Sequence, residues 1–353
     1  MATVGLPRTG AGRKAQIDRA VRVGSRRLVH EVPCSSTVRR SGIARPTASH
    51  RARGSSVASR SSRSRATAPD QGGQGRSRPR QADLLRKWSI KLDKRLGQHF
   101  LADPRVPDRI AGCVARYDPE RVIELACGAG ALSFALLEQG WPVHALEIDQ
   151  RMIDLMREET AGRPFTVEAV DLAREDFKRH ADGRRIVFAG NLPYQISSPI
   201  LFGLLEVLAE PGVAAAVVMI QHEVAQRVVA APGSKVYGIL SVLLQARLEL
   251  RREFVVRPGS FVPPPEVDSA VVTLTAREDP VLLGEDGTAL VRDLFSERRK
   301  QIGGLLRRHR GLSLAQIPEM ESATGLNAQA RPETLSVDDF SRLAGWIRKL
   351  GDR

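Results

Sequence analysis

The sequence contains few cysteines and no long apolar run. Its three cysteines, Cys34, Cys113 and Cys127, lie far apart, so their spacing supports neither a disulfide framework nor a zinc site built from cysteine pairs. No apolar run reaches the ~18 residues that a membrane-spanning helix needs. We therefore expect a soluble protein of a reducing compartment, most simply the cytoplasm, with no metal and no membrane partner.

An excess of charge is also missing from most of the chain. The net charge is +14, but residues 1–80 hold 18 of the 54 Lys and Arg residues and only three of the 40 acidic residues. The remaining chain carries 36 basic and 37 acidic residues. Overall charge therefore says nothing about what the body of the protein binds, and a nucleic-acid surface has to be sought in local basic clusters.

Residues 1–85 are rich in Arg, Ser, Gly and Pro and show no sustained apolar period. A segment of this composition cannot bury enough apolar surface to offset its ordering entropy, so we predict a disordered tail. Three interpretations stay open: an inert segment or start-site artefact, a basic RNA-binding arm, and an organelle transit peptide.

After the tail, short apolar runs alternate with amphipathic stretches, which predicts βαβ units and a mainly parallel sheet over residues 86–277. The predicted strands are Arg121 to Leu125, Val143 to Ile148, Phe165 to Val170, Arg185 to Gly190 and Ala214 to Ile220, and the predicted helices are Ala131 to Gly140 and Gln150 to Glu159. A polar break at Ala276 to Pro280 follows. Residues 290–309 and 337–350 have helical spacing, so we predict a small helical domain over residues 278–353.

Small residues follow the first predicted strand in "ELACGAGALS", Glu124 to Ser133. Gly128 and Gly130 let the backbone turn tightly and approach a ligand. Alone, such a turn fits a dinucleotide site, a methyl-donor site or no site at all. Glu147 ends the next strand about 20 residues later, where a carboxylate accepts hydrogen bonds from ribose hydroxyls, although a solvated strand end is the alternative.

Two further features favour S-adenosylmethionine over a dinucleotide. The turn lacks the full G-x-G-x-x-G spacing that suits a pyrophosphate, and Asp171 follows the third strand, where it can accept from an adenine amine. The fourth strand is followed by Asn191-Leu192-Pro193-Tyr194. This conjunction predicts a class I, Rossmann-like methyltransferase that uses S-adenosylmethionine.

The Asn-Leu-Pro-Tyr segment fits methylation of an adenine amine. The Asn191 Oδ1 atom and the carbonyl before Pro193 can accept both N–H groups of N6, while proline fixes the local backbone and has no donor of its own. The ring of Tyr194 offers a face on which a base can stack. In isolation the same four residues are more often an ordinary turn.

With these residues in place, the chain resembles the rRNA adenine N6-dimethyltransferases, in particular the KsgA-like enzymes of the small-subunit rRNA. The resemblance covers about residues 94–343 and rests on "KRLGQHFL", "QHEVAQRVVAAPGSKVYGILSVLLQ", "FVPPPEVDSAVVTL" and "SERRKQI" with "RPETLSVDDFSRLA". It implies cofactor contacts at His99, Leu101, Ala126, Gly128, Glu147, Asp171 and Asn191. It implies adenine handling by Asn191, Leu192, Pro193 and Tyr194, and RNA contacts at Lys94, Arg95, Phe261, Arg298, Arg299 and Lys300.

Two positions depart from the family's usual residues. His99 stands where the family usually has Asn, and Ala126-Cys127 stand where Gly-Pro or Gly-Ser is common. The first departure puts the His99 contact in question, whereas a main-chain contact at Ala126 tolerates the change. Cys127 is expected to be a small packing residue.

The implied function is S-adenosylmethionine-dependent dimethylation of two adjacent adenosines in the 3′-terminal helix of small-subunit rRNA, by a monomer whose partner is the small ribosomal subunit. One alternative is the sister group that methylates large-subunit rRNA and confers macrolide-type resistance. That group more often has Phe at the position of Tyr194. A second alternative is a non-catalytic rRNA or transcription factor of the same fold.

Overall fold

The computed structural model describes residues 78–90 and 99–351. The described residues from Pro79 onward belong to one compact unit. Most of the predicted tail, together with Lys94 and Arg95, lies outside the described residues.

A seven-stranded sheet forms the centre of the unit, with the strand order β4-β3-β2-β5-β6-β9-β7. Strands β2 to β6 are parallel neighbours, and β9 and β7 are antiparallel additions. A separate pair joins β1 to β8. The bounds of the strands are β1 Phe100–Leu101, β2 Arg121–Leu125, β3 Val143–Glu147, β4 Phe165–Ala169, β5 Ile186–Asn191, β6 Val213–Gln221, β7 Leu248–Val256, β8 Phe261–Val262 and β9 Ser269–Ala276.

Within the described part of the chain, seven α-helices precede or flank the sheet strands, and four follow the last strand. Their bounds are α1 Gln81–Lys87, α2 Arg105–Ala115, α3 Ala131–Glu138, α4 Gln150–Glu159, α5 Ser197–Val207, α6 His222–Val228, α7 Ile239–Gln245, α8 Gly284–Ser296, α9 Ile302–Arg310, α10 Gln316–Thr324 and α11 Val337–Gly351. The parallel order and the flanking helices confirm the predicted class I methyltransferase fold.

Both faces of the sheet are buried, which explains why its central strands are continuous apolar runs. In β5, Ile186 and Phe188 point to the core shared with α5, α6 and α7, while Val187 and Ala189 point to the core shared with α2 and α3. Alternate residues of one strand therefore serve two cores, as the two-residue period of a strand requires.

Helices α8 to α11 pack around a third core. Leu294, Leu306 and Phe340 are fully or almost fully buried in it, and Tyr237, from the segment before α7, is buried with them. The helices after β9 thus share an apolar core that is distinct from the two cores of the sheet.

The predicted helical stretch 290–309 is wrong as one continuous helix, because the structure divides it into α8 and α9. The chain leaves helical geometry at Glu297, and Ile302 N donates to Ala330 O at 2.8 Å. A Cβ on Gly303 would lie 3.0 Å from the Ala328 Cβ. Close packing of α9 against residues 328–330 therefore fixes the bend, which local periodicity does not encode.

The folded part of the chain begins before residue 85, where the sequence analysis placed the end of the tail. Helix α1 starts at Gln81, and Leu84 is only 4% exposed. Its contacts with the core, rather than the composition of its neighbours, determine that this segment folds. Within the described residues, no helix is long and apolar enough to cross a membrane.

Candidate active site

A cleft of about 220 Å³ opens at the carboxyl ends of the parallel strands β2, β3 and β5. This edge is where open α/β sheets bind their ligands. The predicted residues that line the cleft are His99, Leu101, Ala126, Gly128, Glu147, Asp171, Asn191, Leu192, Pro193 and Tyr194. The structure therefore brings together every predicted cofactor and adenine-handling residue.

The turn after β2 needs glycine for two physical reasons. Gly128 and Gly130 have φ of +52° and +82°, in the left-handed region that favours glycine. A Cβ on Gly130 would lie 2.5 Å from the Met156 Sδ, and one on Gly128 would lie 3.1 Å from the Phe100 ring. Ala126 also has a positive φ of +59°, so this backbone position keeps the conformation of a glycine although its side chain is a methyl group.

Glu147 is buried and holds the turn in place. Its Oε2 accepts a hydrogen bond from Gly128 N at 2.9 Å, and its Oε1 accepts from Ile148 N and Asp149 N at 2.9 and 3.0 Å. Burial raises the pKa of the carboxyl group, while these backbone donors act in the opposite direction. A carboxylate has about four acceptor positions, so three amide bonds leave capacity for a ribose hydroxyl.

Asp171 lies at the rim of the cleft and is exposed. Its Oδ1 accepts from Ala173 N at 3.0 Å, and its Oδ2 lies 3.6 Å from the Arg174 Nε. The side chain thus has a fixed direction and remains accessible to a ligand amine.

The Asn-Leu-Pro-Tyr segment is anchored from both sides. Asn191 is the last residue of β5, its Nδ2 donates to His99 O at 3.2 Å, and Leu192 N donates to Met219 O on β6 at 3.0 Å. Because Nδ2 is engaged by the protein, Oδ1 is the end of the amide left for a substrate donor. This is the orientation that the adenine-binding hypothesis requires.

Tyr194 contacts two groups that sequence reasoning did not pair with it. Its hydroxyl lies 2.5 Å from the Ser269 Oγ on β9, and its ring is stacked on the His99 ring with centroids 5.6 Å apart. Burial raises the pKa of the phenol, so it stays a neutral hydrogen-bonding group at neutral pH. His99 Nδ1 donates to Pro263 O at 2.9 Å, which fixes the imidazole over the tyrosine.

Phe261 is not brought to the cleft. It is buried in β8, where it is paired with Leu101 of β1, and this pairing supports the strand that follows His99. The RNA contact that the resemblance implies for Phe261 therefore has no support from the cleft geometry.

The predicted basic cluster after α8, Arg298 to Lys300, contains one residue that bonds to the protein and two that are exposed. Arg298 donates to Glu333 Oε2 at 2.8 Å and to Ser234 O at 3.1 Å, so it joins two parts of the chain. Arg299 and Lys300 are exposed at the bend between α8 and α9. These two side chains, unlike Arg298, are available for phosphate groups.

Among the cleft residues that sequence reasoning missed, three have features that bear on ligand binding. Ile148 is 56% exposed at the cleft, which is unusual for a large apolar side chain. Glu124 is 1% exposed, its Oε2 has no hydrogen-bond partner among the described residues, and burial raises its pKa to about 8. Gln81 of α1 also lines the cleft. A lone carboxyl inside the apolar strand "RVIEL" was the one available indication of Glu124.

The residues described hold no group of three or more His, Cys, Asp or Glu side chains arranged to bind a metal ion. The free cysteines Cys113 and Cys127 are both buried. Cys127 lines the cleft beside the glycine turn, where burial raises the pKa of its thiol and keeps it unreactive.

Comparisons with known proteins agree with this geometry. A sequence model of the family "Ribosomal RNA adenine dimethylase" matches residues 90–349. The chain is 39% identical over 266 residues to ribosomal RNA small subunit methyltransferase A of Desulfitobacterium hafniense, covering 74% of this chain and 95% of the relative. It is 41% identical over 262 residues to the protein of the same name from Xanthomonas campestris pv. campestris, covering 73% and 97%.

Two solved structures have the same fold over most of the chain. A dimethyladenosine transferase from Plasmodium falciparum superposes with a TM-score of 0.59 at 26% identity, covering 72% of this chain and 98% of that one. The 23S rRNA methyltransferase ErmE superposes with a TM-score of 0.55 at 25% identity, covering 70% and 99%. The chain therefore belongs to the ribosomal RNA adenine dimethylase family and is an S-adenosylmethionine-dependent rRNA adenine dimethyltransferase.

Proposed function

We propose that this enzyme dimethylates N6 of two adjacent adenosines in the 3′-terminal helix of small-subunit rRNA and thereby contributes to small-subunit biogenesis. The observation that carries the proposal is the 39–41% identity to small-subunit methyltransferases along almost their entire length. The 23S enzyme, by contrast, shares 25% of its residues with this chain. We place the reaction in the cytoplasm, on the small ribosomal subunit, and propose a monomeric enzyme.

The cleft suggests how the cofactor is held. Glu147 accepts from the ribose hydroxyls, Asp171 accepts from the adenine amine, and Ile148 offers an apolar surface to the adenine face. His99, Leu101, Ala126 and Gly128 form the remaining wall around the glycine turn. When bound, the cofactor supplies an electrophilic methyl group on a sulfonium ion.

The substrate amine is held by the opposite wall of the cleft. Asn191 Oδ1 and the Leu192 carbonyl accept the two N6 hydrogens, which favours a pyramidal nitrogen and directs its lone pair toward the methyl group. Tyr194 supports the base by stacking. Because these groups are fixed before the base enters, catalysis rests on positioning.

The proposal is tested with labelled S-adenosylmethionine and undermethylated small subunits, with large subunits as the comparison substrate. We expect label on two adjacent adenosines of the small-subunit rRNA, mapped by mass spectrometry of nuclease fragments. Asn191→Ala removes a preorganised acceptor and is expected to lower the rate about 100-fold or more. Gln139→Ala, an exposed amide at the end of α3, serves as the control and is expected to keep full activity.

The alternatives predict different outcomes of the same experiment. Label in large-subunit rRNA would replace the small-subunit proposal with the resistance-type activity. Specific rRNA binding without label would favour the non-catalytic factor.

A further inference from the structure

Helix α1 forms part of the cleft although it precedes the region matched by the family model, which begins at residue 90. Gln81, its first residue, lines the cleft together with Phe100 and Gly128. The structure therefore adds a wall to the site from a segment to which the family comparison assigns nothing.

The helix is fixed on the protein by apolar and polar contacts. Leu84 is buried in a cluster with Cys127, Phe134 and Met156, which surround the glycine turn. At the other end of the helix, Trp88 Nε1 donates to Glu159 Oε1 at 3.0 Å, and Lys87 Nζ donates to the same atom at 2.5 Å. Gln81 is thus held near the turn by contacts three and seven residues away.

Two buried side-chain oxygens in the wall of this cleft lack hydrogen-bond partners. Gln81 Oε1 and Glu124 Oε2 are both shielded from water and have no partner among the described residues. A buried polar atom without a hydrogen-bond partner is unfavourable, so two such atoms in the wall of one cleft indicate a ligand that supplies the missing partner. The terminal torsion of a glutamine side chain is soft, so rotation about it can turn Oε1 toward a ligand in the cleft.

The donors of S-adenosylmethionine identify the partner. The cofactor carries three sets of donors, namely the ribose hydroxyls, the adenine amine and the α-ammonium group. The proposed function gives the first two sets to Glu147 and Asp171. The ammonium has three N–H bonds and a positive charge, and it matches a carboxyl oxygen together with an amide oxygen.

We propose that α1 closes the amino-acid end of the cofactor cleft and that Gln81 Oε1 accepts a hydrogen bond from the α-ammonium group of S-adenosylmethionine. This inference rests on the proposed function, since it assumes that the cleft binds this cofactor. It assigns a cofactor contact to a helix outside the matched family region.

The test measures binding rather than turnover. Isothermal titration of the full chain with S-adenosylhomocysteine is compared with titration by 5′-methylthioadenosine, which lacks the amino-acid group. Gln81→Ala is expected to raise the Kd for S-adenosylhomocysteine about tenfold, the effect of losing one charge-assisted hydrogen bond. The same substitution is expected to leave the Kd for 5′-methylthioadenosine unchanged.

Two further variants separate the contact from the fold of the helix. Asp83→Asn, on the exposed side of α1, is expected to bind both compounds as the unaltered protein does. Leu84→Ala loosens the whole helix and is expected to weaken S-adenosylhomocysteine binding as well. Circular dichroism confirms that each variant is folded.

An unchanged Kd for S-adenosylhomocysteine in Gln81→Ala would overturn the inference and leave the proposed function intact. Equal weakening of both compounds would also overturn it, because Gln81 would then act on the nucleoside end. If the unaltered protein bound neither compound, the proposed function itself would fail.

Discussion

Glu124 shows at the residue scale how a buried carboxyl couples the site to pH. The side chain lines the cleft but is only 1% exposed, and burial raises its pKa to about 8 from an ordinary value of 4.5. Between these two values the unfolded chain loses the proton while the folded protein keeps it. The favourable contribution of the protonated form is therefore complete below pH 4.5 and declines as the pH rises to 8.

Glu124→Gln is expected to remove this dependence. The difference in free energy of unfolding between the variant and the unaltered protein should grow in favour of the variant from pH 5 to pH 8, by up to about 1.4 kcal/mol per unit. Denaturant titrations at several pH values measure it. The charge of Glu147 is one of the causes that raise the pKa of Glu124, so the measured difference includes the interaction between these two carboxyl groups. A difference that is constant with pH would contradict the expectation.

The residues that could be predicted from the sequence are those that follow a strand. Glu147, Asp171 and Asn191 each come directly at or after the end of a predicted strand, and parallel strands carry such residues to one edge. Glu124 and Gln81 were not predicted, because one lies inside an apolar strand and the other reaches the cleft only through the docking of α1. Their roles depend on tertiary contacts, which a local pattern does not contain.

At the scale of elements, β2 and β5 leave no room for a side chain at Gly190. A Cβ on Gly190 would lie 2.5 Å from Leu125 O and 3.0 Å from the Leu125 Cβ. Both atoms belong to the strand that carries the glycine turn. The spacing of these two strands, and with it the position of Asn191, therefore depends on glycine at position 190.

Gly190→Ala is expected to lower the free energy of unfolding by about 2–3 kcal/mol, as overpacking of a core does. The matched control is Gly112→Ala in α2, where a Cβ has nothing within 4 Å and the change is expected to stabilise the helix by about 0.5–1 kcal/mol. Thermal unfolding followed by circular dichroism compares the two. Equal effects of both substitutions would show that the β2–β5 spacing is not tight.

Strands and helices were predicted correctly where the sequence has a clear apolar pattern. They were predicted less well where tertiary contacts determine the ends of an element. The predicted β2 and α4 agree with the structure residue for residue, because β2 is a short, mainly apolar run and α4 has the apolar spacing of a helix. The bend between α8 and α9 was missed, since the apolar spacing continues through it while the packing of Gly303 on Ala328 breaks the helix. Helix α1 was assigned to the tail because the preceding sequence is Arg-rich and the helix has a single buried leucine, which is too little to give an apolar pattern.

For the whole molecule, the distribution of charge defines two places at which positive charge would meet RNA phosphates. Residues 1–80 hold all of the excess positive charge, whereas the rest of the chain is close to neutral. Exposed cations at the bend of the helical region, Arg299 and Lys300, can add contacts at a defined place. A substitution at Arg299 or Lys300 should therefore remove local phosphate contacts and leave any nonspecific attraction by the tail unchanged.

The double variant Arg299→Gln/Lys300→Gln is expected to weaken binding to an rRNA fragment that carries the 3′-terminal helix. It should reduce the slope of log K against log salt by about 0.7–0.9 per lost phosphate contact, so by up to about 1.8. Arg348→Gln/Lys349→Gln removes two exposed charges at the end of α11 and is the control. Because the tail is the same in all three proteins, an equal loss in both variants would assign the effect to net charge alone.

If the target base stacks on the face of Tyr194 that His99 covers, base binding is an exchange of one ring for another. Any base that stacks on that face of the tyrosine must first displace an imidazole that is held by a hydrogen bond to Pro263 O. The net gain is then the difference between two stacking energies, less the hydrogen bond that is lost. A base that stacks weakly on the tyrosine gains too little free energy to displace the imidazole. His99 would therefore compete with the base for this face and favour bases that stack strongly.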